Sequence, residues 1–259
     1  MKQVKHLAMI GMVLLVAFAC SSTKKTKYSA WVTPDTNFPL GATGPYAMGV
    51  RNYSLIDESR DNRQIELYLW YPAQGKTNVQ NRLNAPTDEA DAPYPLILTG
   101  MNTGGTLFND HLVSYGFVMA IVESPPIESY RWDHEMINEA LDVLFALDQL
   151  ANNPPEGLEG IIDTDHVGVA GYSGEGDTAF ALSGARLDPE FYQSQCEQLE
   201  GKVPNAVWWY AYACSHTENW AAYASSVGDT ITESEDGLWQ PITDARVRAV
   251  VPMGLGAPL

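Results

Sequence analysis

Val167-Gly168-Val169-Ala170-Gly171-Tyr172-Ser173-Gly174-Glu175-Gly176 reads as a buried strand running into a sharp turn with Ser173 at its tip. Small and β-branched residues come first, then a glycine two before the serine, then a helical pattern over Thr178–Ala185. A strand that turns so abruptly leaves no room for side chains beside the serine, so glycines flank it. The hydroxyl then projects from the sheet, and the N–H of Gly174 sits at a helix N-terminus, placed to stabilise an oxyanion. This arrangement is the pattern of a nucleophile elbow. Its usual form is G-x-S-x-G, whereas here Glu175 holds the last position and glycine follows at Gly176. The plain alternative is a glycine-rich turn with an ordinary serine at the start of a helix.

Working outward, two alternating stretches, Met48–Ile56 and Gln64–Tyr71, read as paired strands across the polar turn Ser59–Asn62. Residues 72–94 read as a surface loop. Pro95–Leu98 is a short continuous apolar strand of the kind buried in a parallel sheet, and it opens into the glycine-rich loop Thr99–Gly105. A helix at Leu107–Tyr115 and a strand at Phe117–Val122 follow. Over 133–151, Met136, Ile137, Ala140, Leu141, Leu144, Leu147 and Leu150 share one helical face. Ala245–Met253 reads as a last buried strand. Alternating strands and helices with short connections predict a doubly wound, mostly parallel α/β sheet. Residues 187–244 break that rhythm. They are acidic and aromatic-rich, with Trp208, Trp209, Tyr210, Trp220 and Trp239 among them, and read as a helical cap whose aromatics either pack on the sheet or line a pocket.

The first 19 residues stand apart. Lys2 and Lys5, the apolar run Leu7–Ala19 and small residues before Cys20 make a secretory signal of the bacterial lipoprotein kind, too short to span a membrane. Cleavage before Cys20 and its acylation are expected, with a plain signal cut near Ala19 as the alternative. Residues 20–45 form a tether and extended lead-in, and 46–259 the domain. The protein is therefore expected to be exported, as an outer-membrane or periplasmic lipoprotein, held to the membrane by its lipid. Cys196 and Cys214 are an even pair in an exported chain and are expected to form a disulfide. With 32 acidic against 15 basic residues the net charge is −17, and no basic stripe exists to bind nucleic acid.

Three stretches together resemble the α/β-hydrolases of the predicted dienelactone hydrolase group, relatives of the platelet-activating-factor acetylhydrolases. They are Leu69-Trp70-Tyr71-Pro72-Ala73, the strand and loop of residues 95–105, and Gly168–Ser173 with Thr178–Leu182 after it. The resemblance implies a serine esterase acting on a small ester or lactone without a cofactor. Ser173 is then the nucleophile, and the backbone N–H groups of Gly174 and Met101 form the oxyanion hole. Two departures stand out: Thr99-Gly100 replaces the family's His-Gly, and Glu175 replaces a small residue.

A serine nucleophile needs a base, usually histidine, held by a carboxylate. In this family both follow the serine. Here the only histidine after Ser173 is His216, with Glu218 nearby, inside the cap. The expectation is that the triad acid and histidine lie beyond Leu259, after two further strands, and that these 259 residues are a fragment. The rival is a complete chain that cannot run triad chemistry: a surface lipoprotein that binds a ligand or partner. Peptidase action on the same fold is a third reading. His111, His134 and His166 have no metal-ligand spacing, so no metal is expected.

Overall fold

The computed structural model describes residues 41–75, 82–100, 105–125, 134–202, 214 and 235–254. Every element below belongs to one compact unit that begins at Thr43. It is an α/β unit built on a mixed, mostly parallel sheet.

Strands β1 (Ala47–Asp57) and β2 (Arg63–Ala73) pair antiparallel from Ala47↔Ala73 to Asp57↔Arg63. The turn between them is set by polar chemistry. The Asp57 carboxylate accepts from the Ser59 amide at 3.1 Å. Asp61 and Asn62 then take left-handed φ values of 54°, a conformation these two residue types tolerate. Along β2, Ile65, Leu67, Leu69 and Tyr71 are buried on one face while Tyr68 and Trp70 take the other, as a two-residue period requires.

Four parallel strands follow: β4 (Tyr94–Gly100), β5 (Val118–Glu123), β6 (Ile162–Tyr172) and β7 (Val247–Met253). Helix α1 (Gly105–Ser114) joins β4 to β5. A π-helical turn, His134–Glu139, leads into α2 (Ala140–Asn152) before β6. Helices α3 (Gly174–Leu182) and α4 (Pro189–Leu199) lie between β6 and β7. The two-residue strand β3 (Arg82–Leu83) completes the spatial order β3-β1-β2-β5-β4-β6-β7.

Helices cover both faces. Leu96, Leu98, Val167 and Val169 join Ala140, Leu147, Ala179 and Leu182 in the main core. On the other face, Met48, Val113 and Met119 pack with Trp70, Ile97 and Phe108 beneath α1. Because β5 lies on one side of β4 and β6 on the other, the chain reverses its winding direction at β4. In open α/β sheets such a switch opens a crevice outside the carboxyl ends of the two diverging strands, where ligands bind. Those ends are Gly100 and Tyr172.

Two expectations need correction. The helix expected over 133–151 begins as a π turn, which hydrophobic spacing does not distinguish from an α turn. The loop expected over 72–94 contains β3 and an Ala73–Thr87 bridge, and Ala85 is buried. Among the described residues, β7 is the outermost strand beyond β6, with Val251 51% exposed. Val247 and Val250 reach the main core, while Ala249 and Val251 point to the face that no described helix covers there.

Candidate active site

The β6–α3 junction carries the geometry that the glycines foretold. Ser173 has φ 59° and ψ −121°, the mirror image of the first central residue of a type II turn, a position that glycine dominates. A non-glycine residue held there stores about 1–3 kcal/mol. The surroundings force it. The Ser173 amide donates to the Met253 carbonyl at 2.9 Å, and its own carbonyl accepts from the Gly176 amide at 2.9 Å. Helix α3 starts at the next residue, yet the Ser173 hydroxyl makes no capping bond to it. The side chain is exposed at the strand tip, and Gly174 occupies the first helical position, where an amide lacks an intrahelical partner.

Two glycines make the turn feasible. A Cβ on Gly171 would overlap the Glu175 carbonyl, so only hydrogen fits there. A Cβ on Gly176 would lie 2.8 Å from the Met253 carbonyl oxygen, which explains why a glycine stands one place later than the usual pattern puts it. Glu175, the departure from that pattern, is buried and lies across the end of β4. A Cβ on Gly100 would overlap the Glu175 side chain. The space a small residue would have given on the helix is here given by Gly100 on the neighbouring strand, and the elbow remains tight.

Polar contacts brace α3 from behind. The Thr178 hydroxyl donates to Glu139 Oε2 at 2.9 Å, tying the helix to the π turn. Three residues on, Asp142 is fully buried and accepts from Arg60 at 2.6 Å, from Arg63 through both oxygens at 2.7 and 2.8 Å, and from Ser124 at 2.6 Å. Arg60 also donates to Asp57 at 2.6 Å, so two carboxylates meet two guanidiniums. Burial alone would raise the Asp57 carboxyl, but the hydrogen bonds from Ser59 and Arg60 outweigh it and hold it below the usual range. The network pins the β1–β2 turn, the end of β5 and the start of α2 together. Sequence reading missed it. Its signal was a lone acid within the apolar face of α2, with arginines at positions 60 and 63.

Other expected site residues fall as follows. Cys196 and Cys214 are disulfide-bonded, with Cα atoms 5.6 Å apart, which is consistent with an oxidising compartment. His166 is exposed beside Asp163, its Nδ1 3.1 Å from Oδ2, and His111 lies against Tyr115 at 5.1 Å between ring centroids. Trp239 packs in the main core, the plainer of the two roles considered for the aromatics of 187–244. Cys20, Met101, His216, Glu218 and the other aromatics named from that segment lie outside the described residues. Among the described residues, no group of three or more His, Cys, Asp or Glu is placed to hold a metal, and no helix is long and apolar enough to cross a membrane. No protein-family model matches the chain, and no curated protein does.

Proposed function

We propose that this chain is an exported serine ester hydrolase on an α/β-hydrolase fold. The carrying observation is the strained, exposed Ser173 at a strand-to-helix turn beside the switch point of a mostly parallel sheet. Nothing about an ordinary helix-capping serine calls for such a backbone, and this one does not cap. Strain of this kind persists where the surrounding structure over-determines it, typically at sites that need it.

In this reading Ser173 Oγ attacks the carbonyl carbon of a carboxylic ester or lactone, and its proton passes to a general base, by family logic a histidine oriented by a carboxylate. The carbonyl oxygen becomes an oxyanion held by the amides of Gly174 and Met101, each worth about 10²–10³ in rate. The C–O bond to the alcohol then breaks, and the alcohol leaves with the proton. Water next attacks the acyl-serine with the same base accepting its proton, which frees the acid and restores Ser173. No cofactor enters this scheme. The N-terminal signal and Cys20 support export and lipid anchoring, and Cys20→Ala should move the protein from the membrane to the soluble fraction.

The full-length gene product should hydrolyse short-chain p-nitrophenyl esters, and Ser173→Ala should abolish the activity. Turnover that persists in the folded variant refutes the assignment.

A further inference from the structure

We infer that Gly176 is a positioning residue for the reaction at Ser173, fixing both peptide groups that flank the serine. The inference rests on the serine hydrolase reading and adds to it a residue that takes no part in the chemistry itself. On the amino side, the Ser173 N–H donates to the Met253 carbonyl at 2.9 Å. That carbonyl reaches the serine across the space where Gly176 has no side chain: a Cβ there would stand 2.8 Å from the Met253 oxygen. On the carboxyl side, the Gly176 N–H donates to the Ser173 carbonyl at 2.9 Å. With one peptide group held to β7 and the next to α3, φ and ψ of Ser173 are set between them, at 59° and −121°.

The second of these bonds reaches the chemistry directly. A peptide group is planar and trans, so the Ser173 carbonyl and the Gly174 N–H belong to one rigid unit and point in opposite directions. Fixing that carbonyl with the Gly176 amide therefore aims the Gly174 N–H, a donor that the hydrolase reading places in the oxyanion hole. A methyl group at position 176 would break the arrangement. The Met253 carbonyl would have to withdraw by about half an ångström to reach ordinary contact, which takes its bond to the Ser173 amide beyond the usual hydrogen-bond range. Helix α3 has little room to yield instead, being seated so closely on β6 that a Cβ on Gly171 would overlap the Glu175 carbonyl. A misplacement of about 1 Å at a reacting centre costs on the order of 100-fold in rate, so half of that corresponds to roughly 10-fold.

The test uses the full-length protein, with p-nitrophenyl ester kinetics and thermal melts. Alanine is the better helix former, so helix propensity alone would leave Gly176→Ala as stable as wild type or more so. Its kcat should fall by about 10-fold or more with KM within about 2-fold, because the loss falls on transition-state placement rather than on uniform binding. A second readout needs no turnover. Ser173→Gly should melt above Ser173→Ala in the wild-type background, because glycine relieves the strained backbone. That gap should shrink by about half or more once Gly176→Ala has loosened the serine, as expected of residues in contact. If Gly176→Ala does not fold, amide hydrogen exchange on the wild type takes its place. The Ser173 and Gly176 amides should be protected about 100-fold or more, and free exchange at either overturns the inference. So does a folded Gly176→Ala with wild-type kcat, or an undiminished gap, and the hydrolase reading survives each of these results. An inert wild type overturns that reading and the positioning role with it.

Discussion

Replacing Ser173 by glycine should leave a more stable protein than replacing it by alanine, although both remove the hydroxyl. The comparison isolates one Cβ in a backbone conformation that glycine adopts freely. Holding a non-glycine residue at φ 59° and ψ −121° costs about 1–3 kcal/mol, and alanine keeps that strain while glycine releases it. Glycine offsets part of the gain by about 0.4–1 kcal/mol, through the larger conformational freedom of its unfolded chain. Ser173 is exposed, so burial contributes little to the difference. The net advantage of Ser173→Gly is then about 1.3 kcal/mol, taking the middle of each range for strain relief and unfolded-state entropy. For a unit of this size it corresponds to roughly 3–6 °C in Tm. Urea denaturation of the two variants, with scanning calorimetry alongside, measures it directly. If Ser173→Gly is no more stable than Ser173→Ala, the strained elbow does not exist in solution.

Asp142→Ala should destabilise the protein by about 3–5 kcal/mol, because it strands Arg60 and Arg63 without their shared partner; an unchanged urea midpoint would deny the network its bracing role. Asp110 is half-buried, and desolvation raises its carboxyl above the ordinary value, with Oδ1 lacking a hydrogen-bond partner among the described residues. Its folded pKa thus exceeds the unfolded one, so stability falls as pH rises through that window; Asp110→Asn should be the more stable form at pH 7, and the gain should vanish below about pH 4. Cys196→Ser should cost about 3 kcal/mol on the chain-entropy account of the loop it opens, and mass spectrometry of the non-reduced wild type should show the two cysteine peptides joined.

What could be read from the sequence was what depends on neighbours along the chain. The sharp turn at Ser173 was legible because the steric demand on Gly171 and the helix start at Gly174 are local. So was the β1–β2 hairpin, since alternation over two strands and a polar turn between them need no distant information. The pairing of Gly100 with Glu175 was not, because the glycine answering the unusual glutamate lies on another strand. Glu175 alone looked like a defect in the motif. The Asp142 network was hidden for the same reason: one acid within an apolar helical face looks like an interruption until Arg60, Arg63 and Ser124 are brought to it. The π turn before α2 escaped because its residues follow a spacing that also suits an α-helix.

The central claim is that Ser173 is an activated nucleophile, and covalent labelling tests it most directly. The folded full-length protein is treated with a fluorophosphonate, digested, and the adduct mapped by mass spectrometry, with Ser173→Ala as control. The account predicts a single adduct on the peptide carrying Gly171-Tyr172-Ser173-Gly174, absent from the variant. An unlabelled wild type, or an adduct on another serine that survives in Ser173→Ala, would contradict it.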